Sequence, residues 1–427
     1  MADTSLLGQI KDFANRADPY PLYARLRQSP VSRQDDVGEP NGSSGDGAQG
    51  VWVAASHDAI MRLQNDPRLS VETQPPTKRP STGNPVTDYL VNPIKNRITD
   101  RHQPFLFRDP PEHDRLRAAT VRHFTPERVH RMRARSERLV AEMLDRKMGA
   151  GEIDVVDDLA YPLPVAVICE LFGVPGGDET RFHDWSSQLA TAVEPGVAVG
   201  EETRIENART FDAISDYLTD LIAEKRRRPC DDLLSGLANQ ASPDGGRMGD
   251  FDLISTAILI LVAGHETAVN LIGNAWLALM RHPRELERLR ADPSRAPRVV
   301  EEVMRYDPPV QLVSRKTLGA IEIAGTTIPA GEALVLMLAA GNRDPAAFSE
   351  PDRFDPDRVG TRHLGFGGGL HYCVGAPLGR FEAEAALTAL ARRLKAPRLV
   401  EDPPPYRRPA TLRGPEHLRI AVEGILD

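Results

Sequence analysis

The stretch His363–Leu390, HLGFGGGLHYCVGAPLGRFEAEAALTAL, decides how the rest of the chain is read. Three consecutive glycines and a histidine lead to a cysteine, and a run of good helix formers follows at once. The chain has 427 residues and only three cysteines, so one placed here asks for a chemical reason.

Several chemistries compete for Cys373. The plain one is a structural thiol behind a glycine turn. A zinc centre would draw on His371 and Cys373, but it needs about four ligands, and no CxxC or second His/Cys cluster supplies them. A cysteine nucleophile needs a base, and His371, two residues away, points elsewhere in most backbones. Phosphate cradling fails because the glycines follow no strand pattern and lack GxGxxG spacing. One reading uses every part. Cys373 lies just ahead of a helix whose dipole and free N–H groups favour a thiolate. Glycines let the backbone approach a flat cofactor, which suits an axial ligand to haem iron.

Residues Phe366 to Gly375 match FGxGxHxCxG at every fixed position and so resemble the haem-binding signature of the cytochrome P-450 family. The resemblance covers nearly the whole chain, from DPYPLYARLR to the last strand-like segment, and is bacterial in style. Ala263-Gly264-His265-Glu266-Thr267 resembles the family's oxygen-activation motif. Its surroundings, TAILILVAGHETAVNLIGNAWLALM, are apolar nearly all round, which reads as a buried central helix. There Gly264 could serve packing and Thr267 could bond a carbonyl one turn back. Polar Glu266 and Thr267 inside such a helix must nevertheless find partners. Ala268 stands where the family usually has a second threonine.

Glu302 and Arg305 match the family's ExxR, and Arg358 in PDRFDPDR matches the third member of its ion-pair triad. An i,i+3 charge pair alone is a routine surface device, so its position between the stronger motifs carries the reading. The triad is expected to lock its helix against the loop leading to Cys373. His113 and Arg117 match the family's HxxxR, and with Arg315 and His371 they are implied contacts to the haem propionates. Each of these four, taken singly, reads equally well as a solvated basic residue.

Composition narrows the alternatives. Hydrophobic content of 41% and charged content of 27% describe an ordinary globular chain. Lys plus Arg is 53 and Asp plus Glu is 61, a net charge of −8 that does not advertise nucleic acid. The N-terminus carries charge from its third residue and has no signal-peptide core, and no run approaches the roughly 18 uninterrupted apolar residues of a membrane span. Three scattered cysteines make a disulfide framework unexpected, so the reading is cytoplasmic and reduced.

Helical patterns dominate: DPYPLYARLRQS, ERVHRMRARSERLVAEMLDRKM and ARTFDAISDYLTDLIAEKRRR are amphipathic, the last ending in cations. Strand patterns are fewer, at VWVAA, IEIAGTTIPAGEALVLML and LRIAVEGI, and no βαβ alternation occurs. Gly38–Gly50 reads as a flexible insertion inside an early hairpin, and Ser70–Asp100 as an irregular, Pro-rich loop.

The resemblance implies a mainly α fold with a smaller β-rich lobe, one cytochrome P-450 domain over residues 1–427. Haem (heme b, iron protoporphyrin IX) would lie between the central helix, at Ala263 and Gly264, and the Cys373 loop, at Phe366, Gly367 and Gly375. The implied reaction inserts one oxygen atom from dioxygen into an organic molecule. Electrons would come from NAD(P)H through a ferredoxin reductase and a ferredoxin, and Glu266 and Thr267 would deliver protons. A soluble monomer is expected. By family position the pocket would be lined by Ser70–Gln103, Val193–Glu202, Ala263, Val310–Val313 (Val310, Leu312 and Val313 above all) and Ala410–Leu412. Such a lining suits a medium to large, mostly apolar molecule, as in secondary-metabolite tailoring. Two rival readings stand: a haem carrier without turnover, and the same fold performing coupling or peroxide-driven chemistry.

Overall fold

The structure, a computed structural model, describes residues 5–34, 50–73, 87–190, 201–241, 247–360 and 362–426. Its axis is the helix Asp250–Arg281, 32 residues long and therefore about 48 Å. Gly249 precedes it and Asp250 and Asp252 occupy its first turn, where carboxylates suit the positive end of the helix. Because its sequence is apolar on almost every side, it is buried on almost every side, with Trp276, Leu279 and Ile272 at 0% exposure. By length and composition this helix could cross a bilayer, yet 72% of its most apolar window is covered by protein, as in a core helix. The helices Pro162–Phe172, Glu179–Ala190, Glu201–Arg227, Ala296–Tyr306 and Ala376–Arg393 pack around it.

The amphipathic segments fold as their patterns predict. DPYPLYARLRQS supplies the helix Tyr20–Leu26, and the long basic segment forms Pro126–Asp145 with Thr125 as N-cap, its hydroxyl accepting from Arg128 N–H. The cation-ended segment forms Glu201–Arg227.

The β elements gather into a lobe. A five-stranded sheet has the order Val31–Gln34, Val51–Ala54, Ala333–Leu336, Val313–Thr317, Leu69–Ser70. Val51–Ala54 and Ala333–Leu336 run parallel; the other pairs are antiparallel. Val31–Gln34 and Val51–Ala54 are the arms of the early hairpin; the insertion between them, at 38–49, lies outside the described residues. IEIAGTTI makes the expected tight hairpin, turning at Ala324 and Gly325, both at positive φ.

One expectation is corrected. The Ser70–Asp100 stretch is not irregular throughout, because Thr87–Val91 is a short π-helical turn leading into the helix Asn92–Arg101. Pro93 sits in the first turn, where its missing N–H costs nothing. The apolar side chains of Tyr89, Leu90 and Ile94 are exposed, so no buried stripe marked this helix in the sequence. The Pro-rich portion at 74–86 lies outside the described residues.

Candidate active site

The cysteine loop is held by its own backbone. The Cys373 N–H donates to Phe366 O at 2.9 Å, and the Gly367 N–H to Leu364 O at 2.8 Å. Gly367 and Gly369 have φ of +71° and +61°, the left-handed region that favours glycine. The expected reason for the glycines, approach to a cofactor, is only part of the account. A Cβ at Gly369 would come within 2.3 Å of Gln64 O, one at Gly368 within 2.5 Å of Gln64 Oε1, and one at Gly365 within 2.5 Å of Met304 O. The glycines let the loop wedge between the end of helix His57–Leu63 and the ExxR helix Ala296–Tyr306.

The Cys373 sulfur sits three residues ahead of the helix Ala376–Arg393. Burial pushes its thiol up, while the amides of Gly375 and Ala376 and the guanidinium of Arg117 pull it down, and burial wins. The residue keeps accessible surface although protein surrounds its thiol. A metal cation there would hold the thiolate outright. Behind the loop, Arg380 stacks its guanidinium 4.3 Å from the Phe366 ring centroid and donates to Glu301 at 2.6 Å.

Four basic side chains from three segments converge beside this loop. His113 and Arg117 lie on the helix Glu112–Val121, Arg315 on the strand Val313–Thr317, and His371 on the turn Gly369–His371. The two imidazoles are 4.5 Å apart by ring centroid. His113 is 1% exposed and engages Asp114 through Nδ1 at 2.7 Å, and among the described residues its Nε2 and the Nδ1 of His371 are buried without a partner. Burial, then the neighbouring Arg315, His113 and Arg117, pushes His371 down to about 3. Burial lowers Arg315 to about 10. So many donors facing one another fit a ligand that brings anionic oxygens, as the two propionates of haem do. With a thiol beside them, the donor set fits haem, and Cys373, His113, Arg117, Arg315 and His371 are the residues that would hold it.

On the central helix, Ala263 is exposed, between buried Val262 and half-buried Gly264. Gly264 serves helix packing: a Cβ there would meet Ile168 Cδ1 at 3.0 Å. Thr267 donates its hydroxyl to Ala263 O at 2.7 Å, the back-bond its sequence context allowed. Glu266, 5% exposed, is not free: Arg407 Nη1 donates to its Oε2 and Tyr161 OH to its Oε1 at 3.3 Å.

The expected triad forms. Arg305 donates to Glu302 twice, at 2.8 and 2.7 Å, and Arg358 Nε lies 3.5 Å from Glu302 Oε1. The Asp355 N–H adds a third donor to Glu302, and Arg305 also donates to the carbonyls of Asn342, Pro351 and Arg353.

Residues 82–422 match the sequence family described as Cytochrome P450. The chain belongs to this family. It is 38% identical to the cytochrome P450 monooxygenase PikC of Streptomyces venezuelae, covering 92% of this chain and 86% of the relative. It is 37% identical to the 6-deoxyerythronolide B hydroxylase of Saccharopolyspora erythraea, covering 95% and 96%. The ligand-free crystal structure of Mycobacterium smegmatis CYP164A2 superposes with a TM-score of 0.82 at 41% identity, covering 98% of this chain and 99% of that one. This P450 is therefore a haem-dependent monooxygenase, an oxidoreductase of the bacterial type supplied with electrons from NAD(P)H through redox partners.

The residues expected to line the P450's pocket take different places in the fold. Val310 and Leu412 meet in an isolated antiparallel bridge, and Gln311 N–H donates to Thr411 O at 2.8 Å, so the two expected wall segments are one wall. Val313 is half-buried beside it. Leu312 is corrected to a core residue: at 6% exposure it packs in the cluster of Leu7, Ile10, Tyr23 and Met337. In extended chain its side chain points opposite to its neighbours. The wall segments at 74–86 and 193–200 lie outside the described residues. Sequence reasoning missed Gln64, Tyr161, Asn342 and Arg407, because none stands in a motif and each meets the site only across the fold.

Proposed function

We propose that this P450 hydroxylates or epoxidises a medium to large, mostly apolar organic molecule in secondary metabolism. Hydroxylation and epoxidation are named in relatives, the 6-deoxyerythronolide B hydroxylase and the cyclomarin C epoxidase CymV. The observation that carries the reading is a buried carboxylate and a hydroxyl, Glu266 and Thr267, on the same central helix as accessible Ala263. A mere haem carrier has no use for such a pair. When bound, haem supplies dioxygen activation and transfer of one oxygen atom to the substrate.

The chain's residues have separate tasks. Cys373 serves as the metal ligand. His113, Arg117, Arg315 and His371 grip the carboxylates of the ring's edge. Phe366, Gly367 and Gly375 shape one side of the slot, and Ala263 and Gly264 the other. Because Thr267 spends its hydroxyl proton on Ala263 O, its oxygen is left to accept, and so holds a water. Glu266 passes protons to that water. Val310, Val313 and Leu412 exclude bulk water from the apolar end of the pocket.

The redox partner we infer is an acidic ferredoxin with its reductase. It would dock where Leu370 and Tyr372 are exposed, 53% and 42%, beside the Arg117 and Arg380 side chains. We read the chain as one domain and a cytoplasmic monomer. Arg413 supports the single domain: it ties the C-terminal loop to Arg16 O and Ala17 O near the start of the chain. The test is a screen of natural-product libraries for a shift in the haem spectrum, followed by turnover with NADH, ferredoxin and reductase. Oxygenated product from a shifting compound is expected; binding without turnover would leave a carrier.

A further inference from the structure

The central helix carries one polar stripe among its apolar faces: Glu266, Asn270, Asn274 and Arg281, at spacings of four, four and seven. Fifteen residues separate its ends, a length of about 22 Å. Each member of the stripe meets the C-terminal loop at 402–414. Glu266 pairs with Arg407, and the Gly414 backbone lies so close to Asn270 that a Cβ there would meet Oδ1 at 2.2 Å. Asn274 Nδ2 donates to Arg413 O and Asp307 O, both at 3.0 Å, and Arg281 Nε donates to Asp402 at 3.1 Å at the half-exposed end. Along this seam, polar atoms are buried without partners among the described residues: both amide atoms of Asn270, Oδ1 of Asn274 and Nε of Arg407. Asn270 is 1% exposed. Buried polar groups of this kind are met by internal water.

We propose that Arg407 is a positioning residue for the proton relay, holding Glu266 ionised at the inner end of a hydrated seam that enters at Arg281 and Asp402. The inference rests on the relay role proposed for Glu266. The titratable groups facing Glu266 among the described residues are three. Arg407 comes from the C-terminal loop, Tyr161 from the turn ahead of helix Pro162–Phe172, and His265 from the helix itself, its Nδ1 3.9 Å from Oε1. His265 also engages Ser186 at 2.6 Å and Tyr161 O at 3.2 Å, and among the described residues Arg407 is the permanently charged cation that touches Glu266. A proton arriving along the seam neutralises Glu266 and loosens its hold on Arg407. The neutral acid gives that proton to the water on Thr267 as this water releases one of its own into the pocket, and the carboxylate returns to the pair. The proton count closes, and no electron moves.

The experiment uses the full-length, haem-loaded protein. Infrared spectra across pH, in H2O and D2O, follow the neutral-carboxyl band that Glu266→Gln removes. In Arg407→Gln that band is expected at a pH more than one unit higher than in the wild type, because a buried carboxylate without its cation prefers the neutral form. Arg407→Lys should move it back. The pH profile of product formed per NADH, measured with a compound from the spectral screen, should shift by the same amount. If Arg407→Gln yields no haem protein, Tyr161→Phe decides, with a smaller shift in the same direction. An unmoved band overturns the assignment of Arg407. A moved band with an unmoved coupling profile overturns the relay role of Glu266 instead.

Discussion

Arg305 grips Glu302 through two hydrogen bonds, at 2.8 and 2.7 Å, with 0% and 1% of the two side chains exposed. The same pair is also the anchor of the cysteine loop. Asn342, whose carbonyl accepts from Arg305, donates to Met304 O at 3.0 Å and accepts from Leu364 N–H at 2.7 Å. Leu364 in turn accepts from Gly367, so a continuous chain of bonds runs from the triad to the turn that carries Cys373.

Glu302→Ala is expected to leave Arg305 buried and without its anion, at a cost of about 3–5 kcal/mol. That is a large share of the stability of any domain. Expression should fall, and what folds should melt early and hold little haem. Wild-type yield, haem content and melting temperature would reduce the triad to an ordinary ion pair.

Cys373→His is expected to keep part of the haem, because the basic quartet proposed to grip the ring's carboxylates would remain. The reduced, carbon-monoxide-treated protein should then lose the red-shifted band of thiolate ligation, since imidazole pushes less charge to the metal. A normal band in this variant would assign the ligand to another residue.

Thr267→Ala removes an oxygen that neither the ring nor the pocket wall uses. NADH consumption should stay near the wild-type rate while product falls and released hydrogen peroxide rises. Each tenfold loss in partition toward product corresponds to about 1.4 kcal/mol in relative barrier. An unchanged ratio of product to NADH would make Thr267 a plain core residue, its hydroxyl satisfied by Ala263 O.

Glu382 gives a pH dependence. It is buried on the helix after Cys373, its Oε2 has no partner among the described residues, and burial pushes its carboxyl up to about 8. An unfolded glutamate ionises near 4.3. Below that pH both states hold the proton and the contribution of Glu382 is complete. Between about 4.3 and 8 only the folded state keeps it, so stability falls by up to about 1.4 kcal/mol per unit as pH rises. Glu382→Gln should therefore raise the melting temperature more at pH 8 than at pH 5. Equal gains at both pH values would place a partner against the carboxylate.

The glycine-rich turn at Cys373, the central helix, the ExxR pair and the hairpins were legible in the linear chain because each is a local pattern. A glycine at a left-handed turn, a charge three residues from its partner and an apolar run all act within a few residues. Composition alone left the motif at Cys373 with several chemistries; the resemblance of Phe366–Gly375 selected one.

What the tertiary structure decided is where those patterns face and what they touch. Arg407 meets Glu266 across 141 residues, and Arg358 meets Glu302 across 56. Gln64 sets the need for Gly368 and Gly369 from the end of helix His57–Leu63, and Leu312 turns into the core while Val310 and Val313 flank it. Such pairings depend on how helices and strands close over one another. A contact that costs loop closure and is rewarded only by packing leaves no periodic trace in the residues that make it.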